Sequence, residues 1–124
     1  MPKAMVIDDS RAIRMILTNT LAELGYEVCQ AANGKEGLAL AERESGGLSL
    51  ILVDWNMPEM NGLEFIKCLR ADSRFSSVPL MMVTTETEMQ QVTVALEAGA
   101  NEYVMKPFTK EIIADKLRLM GVIQ

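Results

Sequence analysis

The 124-residue chain contains no histidine, and that absence narrows its chemistry at once. No imidazole base, histidine metal ligand or phosphohistidine can be built from this chain alone. Serine or cysteine hydrolase mechanisms that lean on imidazole are excluded on the same ground, so any histidine must come from a partner. Long apolar runs are also missing: none approaches the ~20 residues that span a bilayer, and Met1-Pro2-Lys3 leads straight into a strand pattern with no secretory segment. A cytoplasmic protein with no membrane partner is expected. Basic charge is in deficit, 12 Lys and Arg against 17 Asp and Glu, so the basic face that direct nucleic-acid binding requires is not expected. Cysteine is scarce, and Cys29 and Cys68 show no CxxC spacing. Falling in a strand pattern and a helix pattern, they read as buried free thiols in a reducing compartment.

What is present is a regular alternation of two periods. Strand patterns cover Lys3 to Ile7, Glu27 to Ala31, Leu50 to Val53, Leu80 to Val83 and Glu102 to Met105. Helical spacing fills the gaps, marked by Ile13, Ile16, Leu17, Leu21 and Leu24, then Leu38, Ala39 and Ala41, then Leu63, Ile66 and Leu69, then Met89, Val92 and Leu96, and last Ile113, Leu117 and Met120. Gly25 and Gly99 stand as helix stops, and Asn33 and Thr109 as helix caps. Five βα units imply a doubly wound α/β fold with a five-stranded parallel sheet and right-handed crossovers. Residues 1–124 read as one domain, 49% hydrophobic, with volume for a real core and with no repeats, linkers or low-complexity tracts. The many methionines, Met81 and Met82 among them, read as core filling.

The segment Leu50-Ile51-Leu52-Val53-Asp54 brings one carboxylate to the mouth of a buried strand, and Pro58 and Gly62 then break the backbone before the next helix. In open parallel sheets this edge is the ligand crevice. Ala4-Met5-Val6-Ile7 delivers Asp8 and Asp9 in the same way. If the first and third strands are neighbours, three carboxylates share one edge, and each pair at 4 Å repels by about 4 kcal/mol at an effective dielectric near 20. A hard divalent cation would offset that cost, and oxygen-only ligands favour Mg²⁺, or Mn²⁺, over zinc. The competing reading is that Asp8 or Asp9 caps the first helix, which serves for either residue singly but not for all three carboxylates. Thr84 and Lys106 follow the fourth and fifth strands and would face the same crevice. Singly they could be a loop hydroxyl and a solvated charge. Jointly, a carboxylate nucleophile, a cation site, a hydroxyl and a lysine form a phosphoryl-transfer constellation, in which Asp54 attacks phosphorus, Mg²⁺ and Lys106 neutralise equatorial charge and Thr84 grips a phosphoryl oxygen.

With these residues in place, the chain resembles the response-regulator receiver domains, most closely the CheY-like chemotaxis type, over essentially its whole length. The motifs are Asp8-Asp9, Asp54-Trp55-Asn56-Met57-Pro58 with Gly62, Met82-Val83-Thr84, Ala98-Gly99-Ala100, and Tyr103-Val104-Met105-Lys106-Pro107-Phe108-Thr109. The resemblance implies a flavodoxin-like fold with strand order 2-1-3-4-5 and five helices. It implies that Asp54 is the phosphoacceptor and that Asp9, Asp54 and the backbone carbonyl of Asn56 bind Mg²⁺, with Asp8 acting largely through water. Thr84 and Tyr103 would relay phosphorylation to the face formed by helix 4, strand 5 and helix 5, the Lys106–Pro107 bond would be cis, and Asn56 and Glu86 would tune the phosphoryl lifetime toward fast turnover.

Two departures stand out. Glu88-Met89-Gln90 occupies the first turn of helix 4, where chemotaxis relatives typically carry lysines, which weakens the case for a flagellar-motor target. Thr85 stands where a smaller alanine is common and would alter access to the phosphoryl group.

With no effector domain expected after helix 5, output would be protein binding. The implied partners are a histidine kinase of chemotaxis type and a downstream protein, with room for a phosphatase that the sequence does not identify, and with the chain itself a monomer and a signalling phosphoacceptor, not an enzyme acting on other substrates. The alternative is a phosphorelay intermediate that passes its group to a histidine phosphotransfer protein. An Asp-nucleophile phosphatase would want an Asp-x-Asp pattern after strand 1, which Asp8-Asp9-Ser10 lacks. A flavodoxin would need a hydroxyl- and glycine-rich loop there, and this acidic one would repel phosphate without a metal.

Overall fold

The computed structural model describes residues 2–44, 47–85 and 89–124, Met89 by its backbone only. Glu86 and Glu88, singled out above, lie outside the described residues. The elements run β1 (Lys3–Ile7), α1 (Arg11–Glu23), β2 (Glu27–Ala31), α2 (Gly34–Arg43), β3 (Leu48–Asp54), α3 (Gly62–Arg70), a 3-10 turn (Ser73–Phe75), β4 (Leu80–Thr84), α4 (Met89–Ala98), β5 (Glu102–Met105) and α5 (Lys110–Leu119). All strand pairs are parallel and the order is β2-β1-β3-β4-β5, the expected flavodoxin-like, doubly wound arrangement.

Strand alternation splits the core in two. Met5 and Ile7 face one side of the sheet and join Phe65, Ile66 and Leu69 of α3. Ala4 and Val6 face the other and join Leu17 and Leu21 of α1 with Ile113 and Leu117 of α5. Both faces of the central strands are therefore dry, which is why they read as unbroken apolar runs. Met81 and Met82 are buried on opposite faces, filling core as expected.

The punctuation follows physical need. Asn33 and Thr109 accept the Glu36 and Ile112 backbone N–H groups at their helix starts. Gly25 and Gly99 adopt φ of +98° and +125°, a region closed to most side chains. Three details differ from the sequence reading. The β3 strand begins two residues earlier, at Leu48, and β3 and β4 each end one residue later, so Asp54 and Thr84 are their last members. The cap of α1 is Ser10, whose hydroxyl accepts the Ile13 N–H at 3.3 Å, so neither Asp8 nor Asp9 is spent on capping. Cys68 is exposed and Cys29 only half-buried. On α3 the buried positions are Gly62, Phe65, Ile66 and Leu69, and the helical period turns Cys68 outward; Cys29 lies on β2, an edge strand. No helix among the described residues is long and apolar enough to cross a membrane.

Candidate phosphoacceptor site at the carboxyl edge of the sheet

Register decides which side chains meet. Ile7 pairs with Val53, Val53 with Met82, and Thr84 with Met105, so Asp8, Asp54, Thr84 and Lys106 all emerge at one edge. The ladder carries on just past the strands, with Asp8 N donating to Ala31 O at 3.1 Å and Lys106 N to Thr84 O at 2.9 Å. A rigid sheet thus fixes the backbone under each functional group.

The Asp54 strand end is held close to α3. A Cβ on Gly62 would lie 2.4 Å from the Asp54 carbonyl oxygen, and Gly62 N donates to Trp55 O at 2.8 Å. Any larger residue would lever the helix away from the strand end. Asn61 and Glu64 form a reciprocal capping box there, a signal present in the sequence that the reading passed over when it began the helix at Leu63.

Asp8 and Asp54 are buried and Asp9 is exposed, and one carboxylate oxygen from each lies within 4.8 Å of the others. Lys106 enters the same space: its Nζ stands 2.9 Å from Asp8 Oδ2 and 3.3 Å from Asp54 Oδ1. Three carboxylates thus face one ammonium. Burial above all, then the Asp8 charge and more weakly Asp9, push the Asp54 carboxyl up to about 6 against the opposing pull of Lys106. Burial works against the Lys106 ammonium, but the hydrogen bond to Asp8 and the charges of Asp54 and Asp8 outweigh it and raise its pKa. Lys106 is therefore no solvated surface charge.

The donor set suits a hard divalent ion: oxygen only, clustered, with a net negative balance that already draws an ammonium into its centre. Asp8, Asp9 and Asp54 could hold such an ion, with the Asn56 carbonyl available on the adjoining loop, where that residue is exposed.

Thr84 is buried at the end of β4, one step past Val83, which pairs with Asp54; Thr85 beside it is exposed. Thr84, Trp55 and Tyr103 line one small cavity under α4, closed by Gln91, Val92 and Ala95. Tyr103 is half-buried, with Lys116 Nζ 4.8 Å from its ring centroid. The Lys106–Pro107 peptide is cis. One residue at the site escaped the sequence reading. Arg14, in the first turn of α1, donates from Nη1 to the Asp8 carbonyl oxygen at 2.7 Å.

Residues 4–118 match the response regulator receiver domain family. The chain is 44% identical over 119 residues to chemotaxis protein CheY1 of Helicobacter pylori, covering 95% of each. It is 43% identical over 116 residues to a chemotaxis protein CheY homolog of Campylobacter jejuni, covering 93% of this chain and 88% of the relative. Among solved structures it is similar to chemotaxis response regulator CheY4 of Vibrio cholerae, with a TM-score of 0.90 and 38% identity over 97% of this chain and 98% of that one. A buried aspartate at a strand end, an acidic pair and a lysine on one sheet edge, and a family match over nearly the whole length place this chain among the response regulator receiver domains.

Proposed function

We propose that the protein is a cytoplasmic, phosphorylation-activated switch of the chemotaxis type, which accepts a phosphoryl group on Asp54 from a partner histidine kinase. The observation that carries this reading is the placement of Asp54: buried, electrostatically strained, and within 3.3 Å of Lys106 beside the acidic pair. One Asp54 carboxylate oxygen forms the bond to phosphorus while the bond from phosphorus to the donor's imidazole nitrogen breaks, the electron pair leaving with the nitrogen. The absence of histidine from this chain assigns that imidazole to the partner.

Asp54 must be ionised to attack, and a carboxyl that titrates near 6 is mostly so at neutral pH. Mg²⁺ held by Asp8, Asp9, Asp54 and the Asn56 carbonyl would supply positive charge to the equatorial phosphoryl oxygens. Lys106 lends its ammonium to the same oxygens, and Thr84 donates its hydroxyl to one of them. Tyr103, sharing a cavity with Thr84, carries the change to the face of α4, β5 and α5, where a downstream protein binds. A ligand shifts a two-state equilibrium only through contacts that differ between the states, and the Thr84 hydroxyl supplies one. Asn56 and Glu86 tune how long the group stays, and a phosphatase partner would act on the same exposed rim. The acidic balance, net charge −5, supports protein partners over nucleic acid, and one domain acting as a monomer suffices for all these steps.

The test compares proteins recovered from a lysate on acetyl-phosphate-treated wild type with those on Asp54→Asn. Intact mass should show one phosphoryl group on the wild type and none on the mutant. Phosphorylation-dependent recovery of a flagellar switch component supports the chemotaxis reading; recovery of a histidine phosphotransfer protein in its place would make the chain a relay intermediate. Thr84→Ala should still take up phosphate while losing most of the gain in partner affinity, and full retention of that gain would sink the Thr84–Tyr103 relay.

A further inference from the structure

We propose that Arg14 is a positioning residue for the acidic site: its guanidinium holds the Asp8 main chain so that the Asp8 and Asp9 carboxylates stay aimed at the cation they share with Asp54. The proposal rests on the reading of that cluster as a Mg²⁺ site. Asp8 is bonded at each of its polar groups. Its N–H donates to Ala31 O at 3.1 Å, its Oδ1 accepts the Ser10 N–H at 2.9 Å, and its Oδ2 accepts from Lys106. The remaining group, the carbonyl oxygen, lies beyond the end of β1 and outside the strand pairing. Arg14 supplies a donor to it, Nη1 at 2.7 Å, and anchors its own fork by donating from Nε to Gln30 Oε1 on β2 at 3.2 Å.

The helix makes this reach possible. Arg14 N donates to Ser10 O at 3.0 Å, so Arg14 sits one turn above the cap, and its side chain points back toward the N-terminal end of α1. Two effects oppose one another. Geometrically, the fork ties the loop between β1 and α1 to the sheet edge, fixing where the adjacent carboxylates Asp8 and Asp9 stand. Electrostatically, its charge repels an incoming cation, so the geometric hold on the Asp8 main chain must outweigh that repulsion. Groups that hydrogen-bond metal-binding residues from outside the ligand shell commonly change metal affinity by about 10- to 100-fold when removed.

The experiment titrates Mg²⁺ into chelator-stripped protein and follows Trp55, the one tryptophan of the chain, with urea midpoints measured in parallel in EDTA. Arg14→Met, which keeps the aliphatic stem, should weaken Mg²⁺ binding about tenfold. Arg14→Lys, which keeps a cationic donor, should recover most of that loss, and Gln30→Leu should give a smaller loss in the same direction. Arg70→Met is the control: its guanidinium also bonds backbone carbonyls, but at Gly99 and Phe75 near the opposite end of the sheet, so it should lower the urea midpoint and leave Mg²⁺ affinity unchanged. Arg14→Met binding Mg²⁺ as the wild type does, or Arg70→Met losing affinity to the same extent, would overturn the proposal. A Mg²⁺ response that survives Asp9→Ala undiminished would instead show that the metal reading itself is wrong, and the role given to Arg14 would fall with it.

Discussion

The two ends of the same sheet are built on opposite principles. Near the amino ends of the strands, Arg70 from the last turn of α3 donates to Gly99 O from Nε at 3.1 Å and Nη2 at 2.8 Å, to Phe75 O from Nη1 at 2.6 Å, and to Asn101 Oδ1 from Nη2 at 3.1 Å. Asn101 Oδ1 also accepts the Leu80 N–H at 2.8 Å. Among the described residues the acceptors that Arg70 meets are neutral, and Gly99 leaves the room, since a Cβ on it would lie 2.7 Å from Arg70 Cγ. At the carboxyl ends, three carboxylates crowd round one ammonium. The first end stabilises the fold. The second holds like charges together in a crevice, a cost that makes sense where an incoming cation or phosphoryl group relieves it.

Removing the clamp at the quiet end should have the largest effect on stability. Arg70→Met removes the guanidinium donors from the Gly99 carbonyl and one donor each from the Phe75 carbonyl and Asn101 Oδ1, which keep the Val78 and Leu80 N–H groups, a loss of about 2–3 kcal/mol. Urea unfolding should show it, while the Mg²⁺ response of Trp55 stays as in the wild type. A stability loss accompanied by weakened Mg²⁺ binding would mean the two ends are coupled, and the contrast would break.

Cation addition should act at the other end alone. Mg²⁺ at ten times its dissociation constant should stabilise the wild type by roughly 1.4 kcal/mol through mass action, and Asp9→Ala should remove most of that gain. An unchanged Mg²⁺ dependence of the urea midpoint in Asp9→Ala would move the metal away from this edge.

The charge strain itself should give a smaller effect with a defined sign. The Asp54 carboxyl titrates near 6 in the folded chain and near 3.9 when unfolded. Between those values the folded state keeps a proton that the unfolded state has released, so in chelator this group favours the fold progressively as pH falls from 7 through 6 toward 4. At neutral pH its ionised form costs stability. Asp54→Asn should therefore raise the unfolding free energy read from urea titration in EDTA by on the order of 1 kcal/mol, less than the bare Coulomb repulsion because solvent enters the crevice, and should flatten this part of the pH profile. A midpoint for Asp54→Asn clearly below wild type would contradict the strain.

The legibility of the molecule divides along the same line. The functional edge was readable because burial on both faces writes each central strand as an unbroken apolar run, and the first charge after such a run marks its carboxyl end. Asp8 and Asp54 were found that way, whereas Lys106 follows the partly buried edge strand β5 and was marked by the Tyr103-Val104-Met105 pattern before it. Helix caps at Asn33 and Thr109 were readable because a cap is local. The quiet end left no such mark. Arg70 and its Gly99 acceptor are 29 residues apart, and nothing in composition or period links them. Arg14 was hidden for a related reason, since an arginine on a half-exposed helix face looks solvated until the fold brings the Asp8 carbonyl to it. Cys68 misled because an apolar helical pattern alone does not say which of two neighbouring positions turns outward. The strand limits at Asp54 and Thr84 were missed by one residue because pairing continues through a polar side chain when its backbone partner is in register.

The central claim, that Asp54 accepts phosphate at a metal-dependent site, is tested most directly by Trp55, which directly follows it. Strand geometry keeps this indole beside the crevice, and it lines the cavity shared with Thr84 and Tyr103. Emission should change when Mg²⁺ is added, because a divalent ion reverses the local field. It should change again when acetyl phosphate follows, and decay back when the donor is removed. EDTA and Asp54→Asn should each abolish the donor response; an Asp54→Asn protein that responds to acetyl phosphate as the wild type does would show that Asp54 is not the acceptor.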